Sequence, residues 1–173
     1  MSTVVKELLQ IRPFALGVLR KFAAEGKLFA ILDACDEPEV QQKVGESEPD
    51  RVKCLYRDVD DLETLAVAPY LAHLGEDDVD WVDQKLWDRF WGVFVVAESS
   101  IKTLRAHFRK FLTVELENEG AVYFRYYDPR VLETFLPTCD GEQLQKFFGP
   151  VDAYGVANRT NQNGREVMLF TRS

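Results

Sequence analysis

Nearly unbroken apolar runs alternate along this chain with runs of helical spacing. "LFAILDA" (28–34) and "WGVFVVA" (91–97) are almost wholly apolar, and short runs of that kind suit strands buried on both faces. "RVKCLY" (51–56) alternates as a half-buried strand does. "AVAPYLAHL" (66–74) also reads as a strand, with Pro69 placing it at an edge or a bulge because proline has no amide hydrogen to give. Val5, Leu8, Leu9, Leu16, Leu19 and Phe22 roughly follow helical spacing, which predicts a helix over 3–25, kinked or ended at Pro13 and stopped at Gly26. "WVDQKLWDRF" (81–90) predicts a further helix capped by Asp80. Ser99 or Ser100 caps another, whose apolar face is Ile101, Leu104, Phe108, Phe111 and Leu112.

Turn chemistry fills in the rest. Asp36 is a candidate cap for a helix beginning at Glu37 and Pro38. The acidic stretches "RDVDDLETL" and "GEDDVD" read as loops, the first with one helical turn, and 75–80 is a candidate lobe boundary. "TVELENEGAVYFRYY" predicts a β-hairpin turning near Asn118–Gly120. Its second strand puts Val122, Phe124 and Tyr126 on one face and Tyr123, Arg125 and Tyr127 on the other. Asp128 then caps a short helix with Pro129 in first position, ending before Pro137. Asp140 caps the next, Gln143 stands in capping-box register, and Gly149-Pro150 stops it. "VDAYGVA" and "REVMLFT" are the last two strands. Strands mixed with short helices and a hairpin predict an α+β fold: a mixed, partly antiparallel sheet with short helices packed on it, as one domain over 1–173 or two small lobes.

Length and charge narrow the function. A chain of 173 residues can bury a core without metals or disulfides. Its net charge of −8 argues against a general nucleic-acid binder, which would be basic. Cys35, Cys54 and Cys139 are odd in number and widely spaced, with no Cys/His cluster, so free thiols in a reducing cytoplasm are expected and zinc is not. No signal peptide and no membrane-spanning run are expected.

The chain holds no phosphate-binding glycine loop, nucleophile elbow, zinc-protease motif or dinucleotide fingerprint, so no cofactor and no catalytic set is expected. His73 and His107 are far apart and read as structural. The acidic runs lack calcium-loop spacing and read as solvated. Two basic features remain. Lys102, Arg105 and Arg109 fall at i, i+3 and i+7 on one helix, either as an ordinary charged face or as a surface for an acidic partner segment. Arg125, Tyr127, Asp128 and Arg130 crowd the strand-to-helix corner, where Arg130 meets the unfavourable end of the helix dipole and calls for a partner: Asp128, an acidic loop or another protein. An Asp/Arg site near 125–130 in a small cytoplasmic enzyme is the alternative reading.

In order, "LFAILDA", "APYLAHL", "WGVFVVAESSIKTLRAHFRKFLTVEL", "VYFRYYDPRVLETFLP" and "EQLQKFFGPVDAY" resemble the adaptor-chaperone family of bacterial type VI secretion systems, over about residues 28–154. The specific blocks are Phe124, Arg125, Tyr126, Tyr127, Asp128, Pro129, Arg130 and Val131, and then Phe147, Phe148, Gly149 and Pro150. The resemblance implies a non-enzymatic protein that binds a cognate toxic effector in the producing cell. It would help load that effector onto the secretion spike, a VgrG tip or a PAAR-bearing protein. It implies no catalytic residues, and it leaves two readings of the FRYYDPR block, a rigid corner and a partner contact.

Overall fold

The computed structural model describes residues 8–173. In chain order the elements are β1 (Leu9–Ala15), α1 (Gly17–Ala24), β2 (Leu28–Asp33), α2 (Pro38–Glu46), β3 (Val52–Cys54), α3 (Leu62–Leu65), β4 (Pro69–His73), α4 (Glu76–Lys85), β5 (Gly92–Val96), α5 (Ile101–Phe108), β6 (Thr113–Leu116), β7 (Gly120–Tyr123), α6 (Pro129–Phe135), α7 (Gly141–Phe148), β8 (Ala153–Ala157) and β9 (Glu166–Arg172). Seven strands form one sheet in the order β1-β9-β8-β5-β2-β4-β3, and β6 and β7 form a separate ribbon. The fold is α+β. The sheet, expected to be mixed, is antiparallel at every pairing among the described residues.

Helices cover both faces of this sheet, which explains the unbroken apolar runs. Phe29, Ile31, Val93 and Val95 point into one core, under Leu104 and Phe108 of α5, Leu132 of α6 and Phe147 of α7. Leu28, Ala30, Leu32, Phe94 and Val96 point into the other, under Leu19 of α1, Val40 of α2, Val79 and Val82 of α4, and the two tryptophans Trp87 and Trp91. A continuous apolar run thus marks double-sided burial here, and antiparallel pairing satisfies it as well as parallel pairing does.

Four local expectations are corrected. The helix expected over 3–25 is β1 followed by α1; the part of it at 3–7 lies outside the described residues. Pro13 fits because β1 is an edge strand. Leu16 N donates to Arg165 O at 3.2 Å and Ser173 N to Leu8 O at 3.0 Å, so even positions of β1 bond to β9 and Pro13 turns its donorless nitrogen outward. Pro69 instead opens an interior strand, between β2 and β3, so the edge expected for it is absent; a proline at a strand's first residue costs no ladder bond that the strand needs. Asp36 does not cap α2: it adopts a φ of 57°, and Glu37 holds the cap position without a side-chain bond. The acidic stretch 75–80 is no loop, and Asp80 is no cap. Gly75 starts α4, Asp78 accepts from Gly75 N at 2.7 Å, and Glu76, Asp77 and Asp78 fill the first turn, where negative charge meets the positive end of the helix dipole. Asp80 lies inside that helix and pairs with Arg20 of α1. The caps Ser100, Asp128 and Asp140 with Gln143 stand as the sequence predicts.

Candidate functional site

The FRYYDPR block splits by chemistry. Its hairpin strand ends at Tyr123, earlier than expected, and the chain turns at 125–128, where Asp128 N donates to Arg125 O at 3.0 Å. The aromatics go inward. Phe124 meets Phe135 edge-on at 4.9 Å, and Tyr126 is fully buried, with its hydroxyl donating to Phe108 O at 2.9 Å. Phe147, from the second block, touches Phe111, Tyr126, Phe135 and Tyr154 at ring separations of 5.1–5.6 Å. Tyr127 is buried too, behind Arg125, with its ring 5.5 Å from that of Tyr126. These contacts make the block's aromatics part of the core under α6 and α7.

Its charged residues go outward, to one cavity of about 570 Å³ at the carboxyl end of β2. Asp33 closes that strand and is almost fully buried. It accepts from Cys35 N at 3.1 Å and pairs with Arg125. Asp128 accepts from Arg130 N at 2.9 Å and Nε at 3.0 Å and, on its other oxygen, from Nη2 at 2.7 Å. The carboxylate thus caps α6 and holds the guanidinium side-on, which answers the dipole penalty expected at Arg130. Arg130 lies 4.0 Å from the ring of exposed Phe90, and Arg159 lies 4.3 Å from the same ring. On the far wall Arg89 Nη1 donates to Glu37 Oε2 at 3.0 Å.

The two carboxylates are pushed in opposite directions. Burial raises the Asp33 carboxyl above its usual range, and the Cys35 amide and Arg125 only partly offset it. Burial also pushes Asp128 upward, but the Arg130 hydrogen bonds and charge outweigh it and hold that carboxyl below its usual value.

Neither histidine lines this cavity. His107 is buried against Phe147 O at 2.7 Å, and burial keeps its ring below the ordinary imidazole value, so it is neutral at pH 7 and donates to that carbonyl. The same ring fixes Gly149, whose φ is +49° and whose added Cβ would fall 2.5 Å from His107 Cε1. His73 stacks on Phe29 at 4.6 Å and bonds Gly26 O at 3.0 Å. All three cysteines are free, and burial pushes their thiols up, that of Cys139 to about 11.

The basic stripe lies elsewhere. Arg105 Nε donates to Cys54 O at 3.0 Å, and Arg109 donates to Leu55 O at 2.9 Å and Tyr56 O at 2.8 Å. Two of the three cations thus bind the outer edge of the sheet at and just beyond β3, beside a second cavity of about 580 Å³ that shares no lining residue with the first. Lys102 is exposed and lines neither. The structure therefore brings together Arg125, Asp128 and Arg130, places Tyr127 behind them, and leaves Lys102, Arg105 and Arg109 apart. Sequence reasoning missed Asp33, Arg89, Phe90 and Arg159. The one signal was Asp33, a lone acid closing an otherwise apolar strand.

The fold is an α+β sheet with helices on both faces, and at the carboxyl end of β2 it carries a polar groove walled by guanidinium–carboxylate pairs. Residues 28–146 match the family described as "Domain of unknown function (DUF4123)", known as the type VI secretion effector adaptor/chaperone domain, and the chain belongs to that family. No curated protein and no solved structure matches it. The match spans β2 through most of α7. It contains the strands β5, β2, β4 and β3 and both arginine features, while β8, β9, β1 and α1 fall outside it.

Proposed function

We propose that this chain is a non-enzymatic adaptor that binds a cognate toxic effector in the cytoplasm and helps bring it to the VgrG or PAAR spike of a type VI secretion system. Its membership in an adaptor family is the observation that carries this reading. The groove beside Asp128 supports it: three arginines stand there prepaired and fixed, with donors left over, next to an exposed aromatic ring, which is the equipment of a polar docking site. Among the described residues no helix is long and apolar enough to cross a membrane, and no group of acidic, Cys and His side chains could hold a metal ion.

The test is co-expression with the effector encoded beside it. A stable complex is expected, weakened about tenfold or more by Phe90→Ala with Arg159→Glu, two changes that leave the buried pairs intact. A second reading, a small enzyme, draws on the opposite shifts of Asp33 and Asp128, since carboxylates held apart in this way serve acid–base chemistry. Turnover of a small substrate that Asp128→Asn abolishes would favour it over the adaptor.

A further inference from the structure

Among the described residues the ribbon β6–β7 has no pairing with the seven-stranded sheet. A two-stranded ribbon is marginal in water by itself, and this one leaves apolar side chains uncovered: Val114, Leu116 and Tyr123 are 38%, 45% and 69% exposed. Val114 faces Val122 across the strands, with Leu116 next to them, so one face of the ribbon is apolar. The other face carries Thr113, Glu115, Ala121 and Tyr123, and the Tyr123 ring lies 5.6 Å from that of Tyr56. Phe124 N donates to Leu112 O at 2.8 Å, so even positions bond within the ribbon and the backbone groups of Thr113, Glu115, Ala121 and Tyr123 turn outward along its two edges. Glu115, Glu117 and Glu119 make no ion pair among the described residues, and no lysine or arginine occurs between 113 and 123.

We infer that this ribbon accepts, as a third strand, an extended segment of the effector in which apolar and Lys/Arg residues alternate. The period of two dictates that chemistry. Alternate side chains of a strand added along the free edge of β6 lie beside Val114 and Leu116, where apolar groups fit, and the others lie beside Glu115 and the acidic tip, where cations fit. The inference rests on the adaptor reading for the source of the segment; the chemistry rests on the ribbon alone.

The probe is a peptide alternating lysine and valine, titrated into the labelled full chain while backbone amide resonances are followed. Shifts confined to residues 113–123 and their base are expected. Affinity should fall about tenfold or more in Glu115→Lys/Glu117→Lys/Glu119→Lys, and fall as salt rises. Equal binding of a glutamate–valine peptide, shifts centred elsewhere, or no shifts would overturn the inference. Pairing of two copies through the same amides, seen as mass growing with concentration, would overturn it too. An effector complex that survives the triple reversal unweakened would remove the ribbon from the site and leave the adaptor reading standing, whereas a wild-type chain that binds the peptide but no effector would strike the adaptor reading and the effector as the source of the segment, leaving only the ribbon's strand chemistry.

Discussion

Asp33 and Arg125 are 92 positions apart in sequence and meet at the end of β2, with the carboxylate buried and the guanidinium half in water. Arg125→Ala leaves that carboxylate buried with only the Cys35 amide, and should cost about 2 kcal/mol in urea unfolding at pH 7. Asp33→Asn in the same chain should return part of the loss. The pH dependence has a fixed sign. Burial raises the folded-state value of Asp33 above its unfolded one, so the penalty on the bare carboxylate holds above the folded value and is relieved as acid protonates it; the deficit of Arg125→Ala should shrink toward about pH 4. His107 behaves in the opposite sense. Its folded value is lowered, so its contribution is complete above about pH 6.5 and lost as pH falls through the folded value, because the folded site disfavours the proton that the unfolded chain accepts. A melt series across that range should show a fall in Tm that His107→Gln lacks. At this scale the sequence named Arg125, Asp128 and Arg130 but not their companions. Propensity and spacing read neighbours along the chain, and neither registers a pair closed by tertiary contact, as Asp33 is with Arg125 or Phe90 with Arg130 and Arg159.

Arg105 and Arg109 show how an element can divert residues from a role that spacing suggests. On α5 and just beyond it they form the expected basic stripe, yet their guanidiniums occupy carbonyls at the end of β3 and just beyond it. An uncovered edge is a template for unwanted pairing, and two cations fixed along it block that. Arg105→Ala/Arg109→Ala should therefore lower stability by about 1–3 kcal/mol and speed amide exchange in Val52–Cys54. An unchanged melt with weakened effector binding would return the stripe to the docking surface. Strands β2 and β5, the hairpin and the caps of α5, α6 and α7 were legible because each has a strong local signature: an unbroken apolar run, a turn, or a capping side chain. β1 was not, since "LLQIRPFALGVLRKF" places its apolar residues at spacings that a helix also meets, and only pairing with β9 decides between them. The start of α4 was hidden by its own acids, which favour a helix amino terminus as much as a solvated loop.

The whole sheet is larger than the part that carries the family match. Strands β8, β9 and β1 extend it past β5, and Tyr154 of β8 packs on Phe147 at 5.1 Å in the aromatic core that supports the Asp128 corner. A chain cut to residues 28–146 would leave β5 as an edge with apolar residues bare on both faces, and is expected to aggregate or to lose cooperative unfolding. α+β was legible from the order of runs; complete antiparallel pairing was not, since strand order depends on contacts that no local window contains. The charged corner and the acidic ribbon are separate features of the chain, and the central claim is that it works by holding another polypeptide. The most direct measurement is the mass and affinity of what forms when the purified chain is mixed with a candidate effector from its gene neighbourhood. A defined complex, together with a gain in effector solubility, is the result expected; no association at micromolar concentrations with that effector or with the spike protein would contradict the account.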